Sequence, residues 1–415
     1  MISSVDKHTL RKLAKHIDEI SNLPIMDERK KRWYRHNALE PGTQMILCSP
    51  EGAWRELLPS SALKCEGEAA RRIEYDFRQR IYSHDYIDDD SVIDKRFRIK
   101  KRIAALDEWW LAIDWGLPIK HKLSTAETGS YAFAPSINTT CDLNMLRVPT
   151  IEYDEKTTIS ELDMAQELFG DIMDVQLVGV DYVIFHIMYY YVHYRGLEQT
   201  YLDFYDEPEM ARELIGFFER GYNSIVDQLE KLDLLHLNND GIVVSTGGVG
   251  STTELPAKDF AGKVRPIDMW AAAEAQELAP VSPEQSEEFV ISAERRLLSR
   301  FGLNGYGCCE PLDRKLQYVL SIPNMRRISI SPFSDVKTCA EQIGKKCVFS
   351  WKPSPFFVSG LTFDEEAARK YIANGLQNAK DTVLEMILAD THTCNNDPKR
   401  FTRWVQICRE EINKK

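Results

Sequence analysis

Arg327-Ile328-Ser329-Ile330-Ser331-Pro332 is a short apolar run that stops at polar residues and a proline. The same form recurs at Lys346-Cys347-Val348-Phe349-Ser350-Trp351-Lys352 and at Leu384-Glu385-Met386-Ile387-Leu388-Ala389-Asp390. Upstream it recurs at Leu234-Leu235-His236-Leu237-Asn238-Asn239-Asp240 and at Leu303-Asn304-Gly305-Tyr306-Gly307-Cys308-Cys309-Glu310. Runs of this length, closed by turn-forming or polar residues, predict strands. Helix-start chemistry lies between them. Asp206 precedes Glu209, Ser282 precedes Pro283 and Gln285, Thr362 precedes Glu365, and Asp397 precedes Pro398. In each, a side-chain oxygen can satisfy an orphan helix N–H, and proline fits the first turn because it has no N–H to lose. Strand, polar end and capped helix, repeated, predict parallel strands joined by crossover helices. The length favours a (β/α)₈ TIM-type barrel over a doubly wound open sheet, and no Gly-rich phosphate turn follows the first strand.

Outward from this region the texture changes. Residues 1–150 are rich in charge and aromatics, with helical-looking segments at Lys7 to Ile20 and Lys95 to Asp107 and a strand-like run from Gln44 to Cys48. No repeat or long Pro/Gly/Ser linker divides the chain. The expected organisation is one barrel domain over 1–415, with 1–150 as a helical N-terminal elaboration carrying the first strand and 151–415 as the main barrel.

The composition is that of an ordinary globular protein, 43% hydrophobic and 28% charged. Its 52 basic and 64 acidic residues leave a net charge of −12, which works against the long basic surface of a nucleic-acid binder. No run approaches a membrane span, and the aromatic stretch Tyr182 to Val192 is short and interrupted by His186. Tyr189 to Tyr191 in that stretch read as core or interface. The N-terminal residues lack a signal-peptide pattern, and the nine cysteines are an odd number outside any secreted framework. The expected compartment is the cytoplasm, with cysteines as thiols or metal ligands. A homodimer is compatible with these features.

In a barrel, side chains just beyond the strand carboxyl ends face the active-site mouth. That rule selects Asn238, Asn239 and Asp240 after one strand, Tyr306, Cys308, Cys309 and Glu310 after another, Ser331 after a third, Ser350, Trp351 and Lys352 after a fourth, and Asp390, His392 and Cys394 after the last. Alternation along a strand sends Cys308 and Cys309 in opposite directions, one to the mouth and one into the packing. Thiolate, carboxylate and imidazole are also the ligand types of an open zinc site, whereas as packing residues the two cysteines would be small hydrophobes. Asp390 and His392, two apart, would share one face of an extended segment, so the carboxylate could orient the imidazole; Asp390 could equally cap a turn. Trp270, Glu274 and Gln276 lie in a stretch too polar at helical spacing for plain core and are candidate substrate contacts. Gly247-Gly248-Val249-Gly250 reads as either an anion-binding turn or a loop over the mouth.

These residues give the chain a family likeness. From about Leu234 to Cys394 it resembles the uroporphyrinogen decarboxylase-like superfamily. The likeness rests on the order of elements, on Phe301 to Leu312, on Ile322-Pro323-Asn324 leading into a Ser-Pro-ended strand, and on Asp390-Thr391-His392-Thr393. The corrinoid-dependent methyltransferase branch is the more similar, because the Arg-rich N-terminal signature of the decarboxylase has no counterpart around Ile46 to Arg55. In that branch a His-x-Cys strand end and a late Cys hold zinc. Cys308 fits the first Cys position, Tyr306 stands at the His position, and the late position falls near His392 and Cys394. The resemblance therefore implies a zinc ligand set of Cys308 and His392 with Glu310 or Cys309.

It further implies transfer of a methyl group from a small methoxylated or methylated compound to a corrinoid on a separate protein. Zinc, or a proton from His392 or Tyr306, would stabilise the departing heteroatom. A thiol acceptor is the variant within the branch. Two other readings stay open: a metal-free decarboxylase of an aromatic or pyrrolic acid using Asp390 and Lys352, and a barrel without catalysis.

Overall fold

The computed structural model describes residues 2–123 and 131–414. The chain forms two compact units. One comprises Met1–Lys100, Glu155–Val178 and Val336–Lys415; the other comprises Lys101–Asp154 and Gly179–Asp335. Among the described residues, parallel pairings join three strands of the first unit, with a separate parallel pair in the same unit, and four strands of the second, so the chain is an α/β protein.

In the first unit the strands Met45–Cys48, Val383–Leu388 and Val348–Trp351 lie side by side in that order, with Leu47 opposite Ile387 and Trp351 opposite Met386. The last two are buried along their whole length, as expected of parallel strands covered on both faces. Helices Glu365–Asn378 and Lys399–Ile412 follow them. The first of these is capped by Asp364, whose carboxylate accepts the Ala367 amide at 2.9 Å, rather than by Thr362. Helix Ser4–Ser21 begins where Ser3 accepts the amide of Asp6, and it buries Leu10, Ala14 and Ile17 in a core shared with Phe77 and Phe169. The segment expected to be helical from Lys95 to Asp107 is instead extended. Arg96–Lys100 pairs in parallel with Asp174–Val178. Its residues Arg96-Phe97-Arg98-Ile99-Lys100 alternate charged and apolar, which is the period of a strand.

In the second unit the order is Ile184–Phe185, Trp270–Ala273, Leu303–Tyr306 and Met325–Ile330. Ala273 lies opposite both Phe185 and Tyr306, and Tyr306 is opposite Ile328. Trp270–Ala273 corrects the helical reading of that stretch. It is a fully buried strand, and three consecutive alanines leave room for its neighbours. Leu234 to Asp240 forms no strand beyond a single bridge between Leu235 and Val180. Asn238 there fixes the start of the next strand, accepting the Trp270 amide at 2.9 Å and donating to the Trp270 carbonyl at 3.0 Å.

Helices Ile187–Arg195, Leu197–Asp206 and Pro208–Lys231 cover the strands of this unit. Tyr190 and Tyr191 are buried, as core residues are. The third of these helices starts at Pro208 with Glu207 before it, so Asp206 ends a helix instead of capping one. Ser282 does cap as expected, accepting the Gln285 amide at 3.2 Å. The helical stretch it opens widens to a π turn over Glu287–Ile291 before Ser292–Leu298.

Candidate functional site

Three neighbouring parallel strands of the second unit end together, and the residues just past their carboxyl ends converge. His186 follows Ile184–Phe185, Glu274 follows Trp270–Ala273, and Gly307 to Glu310 follow Leu303–Tyr306. The Gly307 amide continues the ladder, donating to the Ala273 carbonyl at 3.0 Å, and its φ of 92°, a value that L side chains rarely adopt, turns the chain that follows. Glu310 is thereby bound by two backbone amides. Ala275 donates to Oε1 at 3.2 Å and Cys308 donates to Oε2 at 2.8 Å. Beside it His186 Nδ1 is 2.6 Å from Glu274 Oε1, and the Gln276 amide donates to Glu274 Oε2 at 3.0 Å.

Two more carboxyls complete the cluster. Glu294, fully buried, accepts the Tyr306 hydroxyl at 2.7 Å. Glu277 follows on the same loop as Glu274. Oε1 of Glu294 and Oε2 of Glu277 have no hydrogen-bond partner among the described residues. Burial and the neighbouring carboxylates push both of these groups well above the ordinary carboxyl range. Burial, and then the charge of Glu274, raises Glu310 to about 7, against the pull of its two amides. The hydrogen bond with Cys309, then burial, holds Cys308 as a thiol. So many carboxyls in a low-dielectric site cannot all ionise, and protons are shared among them at neutral pH.

Pro311, the residue after Glu310, lines a cleft of about 300 Å³ together with Val281, Pro283, Arg314, Lys315 and Phe333. Lys315 is buried, donates to the Leu278 carbonyl at 2.6 Å, and is lowered by burial to about 8.

No protein-family model matches the sequence, and no curated protein matches it. The fold is similar to that of a methyltransferase from Methanosarcina mazei, with a TM-score of 0.50 and 11% sequence identity over 92% of this chain and 98% of that chain. At that identity the likeness bears on the fold.

The residues selected from sequence divide between the two units. Tyr306, Cys308, Cys309, Glu310, Glu274 and Gln276 belong to the cluster in the second. Trp270 is also there but is a packing residue. Its indole N–H donates to the Gly250 carbonyl at 2.9 Å, and the Arg327 guanidinium lies over its ring. Asn239 braces a loop by donating to the Leu255 carbonyl at 2.6 Å.

In the first unit Trp351 is buried against Gly375 and Tyr371, and Lys352 donates to Ser350 Oγ at 2.6 Å. Asp390 has φ 56°, so the stretch Asp390 to Cys394 is not extended and the shared-face argument for Asp390 and His392 does not hold. That stretch is organised by Glu56, which accepts the amides of Cys394 and Asn396 and the Cys394 thiol. Burial works against Glu56, but these bonds and that of Thr393 hold it at about 2. His392 packs on Gly52.

Cys308, Cys309 and Glu310 thus lie in one unit and His392 in the other. Among the described residues no three His, Cys, Asp or Glu side chains form a group suited to hold a metal ion. A carboxyl raised to about 7 by burial and then by Glu274 can donate a proton at neutral pH.

Sequence reasoning missed His186, Glu294 and Lys315. The usable signal was His186, a single imidazole inside an aromatic run.

Proposed function

We propose that the chain is a barrel methyltransferase of the uroporphyrinogen decarboxylase-like kind. It moves a methyl group from a small methoxylated or methylated compound to a corrinoid on a separate protein. The observation that carries this reading is the placement of Glu310, a buried carboxyl held by two amides at the ends of parallel strands, which burial and then Glu274 raise to about 7. Methyl ethers and methylamines resist demethylation because the departing oxygen or nitrogen is basic. A carboxylic acid that keeps its proton at neutral pH can donate it to that atom as the bond to methyl breaks.

The chain's own residues supply the rest. A cleft of about 300 Å³, at the low end of the size range of small-molecule sites, opens at Pro311, the residue after Glu310. Burial, and then the neighbouring Glu274, raises Glu310, and His186 partners Glu274. The likeness in fold to a methyltransferase accords with this assignment.

The test supplies methyl ethers and methylamines to the purified protein with reduced cobalamin as acceptor, and follows methylcobalamin by absorbance. Demethylation of at least one donor, lowered in kcat by ~10²–10⁴ in Glu310→Gln, is the expected result. Failure with every donor, or full activity in Glu310→Gln, overturns the reading. Carbon dioxide release from an aromatic or pyrrolic acid would replace methyl transfer by decarboxylation.

A further inference from the structure

The two thiols after Gly307 do not face apart. The chain bends through Cys308, Cys309 and Glu310 rather than continuing as a strand, and the two sulfur atoms lie 3.6 Å from each other. Both residues are half-buried, whereas Cys48, Cys65, Cys339, Cys347, Cys394 and Cys408 are buried. Cys141 is exposed. A pair of adjacent thiols already in van der Waals contact, and reachable from solvent, has a chemistry that no single cysteine has.

We propose that Cys308 and Cys309 form a site of reversible oxidation that closes to a vicinal disulfide when the protein meets a low-molecular-weight disulfide. One sulfur, as thiolate, attacks the oxidant, releasing one thiol and leaving a mixed disulfide. The second sulfur then displaces the second thiol, so two electrons and two protons pass from the protein to the oxidant. Closing the bond needs the sulfurs to move only from 3.6 Å to about 2.05 Å.

The resulting couple is a labile one. Adjacent Cα atoms sit about 3.8 Å apart across a trans peptide, short of the roughly 4.4–6.8 Å of ordinary disulfides. Such a bond is strained and easily reduced, which places it among regulatory rather than structural disulfides. It also falls on a peptide of consequence, because the Cys308 amide is one of the two that hold Glu310.

The experiment treats the full-length wild-type protein with oxidised glutathione, alkylates the remaining thiols with iodoacetamide and digests with trypsin. Cleavage after Arg300 and Arg314 yields residues 301–314, which contain no cysteine other than this pair. The expected peptide carries neither alkyl group nor glutathione, weighs two hydrogens less than its reduced form, and regains both alkylation sites after dithiothreitol. Cys308→Ser and Cys309→Ser should each retain glutathione as a stable mixed disulfide instead. Full alkylation of both thiols after oxidation, a persistent mixed disulfide in the wild-type protein, or a bridge to another cysteine would each overturn the proposal. The readout is a mass, so it stands or falls independently of methyl transfer.

Discussion

His186 Nδ1 and Glu274 Oε1 are 2.6 Å apart, on residues that follow neighbouring parallel strands and are almost fully buried. His186 is thus a side-chain partner of a carboxyl that shares its site with Glu277, Glu294 and Glu310. His186→Ala leaves Glu274 short of a partner, and the expected loss is on the order of 1–3 kcal/mol in urea unfolding. The double variant His186→Ala/Glu274→Gln removes the orphaned charge as well and should recover part of that loss. A double variant whose loss equals the sum of the two single losses would show that the pair is uncoupled.

The raised pKa of Glu310 fixes a pH dependence. A carboxyl at about 7 in the folded protein and near 4.5 when unfolded binds its proton more tightly in the folded state. Its contribution to stability is therefore fully present below about 4.5 and is lost as pH rises to about 7, a change of up to ~3 kcal/mol. Glu310→Gln should flatten this part of the stability–pH curve, measured by denaturant unfolding between those limits. For catalysis the acid is the active form, so kcat/KM should fall about tenfold per pH unit above 7. A rate that climbs through this range would assign Glu310 the role of base.

How far the sequence speaks for the fold depends on what each segment is packed against. Ile328, Val348 and Ile387 sit in buried runs whose β-branched residues favour a strand, and those runs are strands. Ala271 to Ala273 have the opposite local preference, since alanine is the best helix former, and only the neighbouring strands hold them extended. Arg96 to Lys100 read as a charged helix because the density of charge hid its period of two. The candidate site divides in the same way. Tyr306 to Glu310 were visible as a strand end, and Glu274 as a polar residue out of place. Glu294, beside Arg295 and Arg296, looks like any solvated helical residue, and only the tertiary fold buries it against Tyr306.

A second buried ionisable pair lies in the first unit, where His36 Nε2 is 3.2 Å from Glu385 Oε2 and both side chains are inaccessible to solvent. His36 Nδ1 is 2.7 Å from the Thr43 carbonyl, so the ring ties helix Pro24–Asn37 to strand Val383–Leu388. His36→Ala takes one hydrogen-bond partner from the buried Glu385 carboxyl and should cost roughly 1–3 kcal/mol. Replacing both partners with apolar residues of similar volume should cost less, because both buried polar groups of the pair are then gone. Thermal unfolding of the two variants side by side distinguishes these outcomes. Equal losses would mean that packing, not the hydrogen-bonded pair, sets the cost.

Gly307 links backbone conformation to the proposed acid. At φ 92° a Cβ is strained, and one built there would come 2.7 Å from Leu312 Cδ1. Leu312 is the flexible end of a side chain and can yield, but the backbone angle cannot without turning the peptides that follow. The first of those carries the Cys308 amide, which donates to Glu310 at 2.8 Å. Gly307→Ala should therefore lower stability by roughly 1–3 kcal/mol and loosen that bond. Because the amide bond opposes the burial that raises Glu310, its loss moves the carboxyl further up. The expected signature is a modest fall in melting temperature together with a high-pH limb of kcat/KM displaced to higher pH. A variant that loses stability while its pH profile stays in place would show that the turn at Gly307 positions the chain but not the acid.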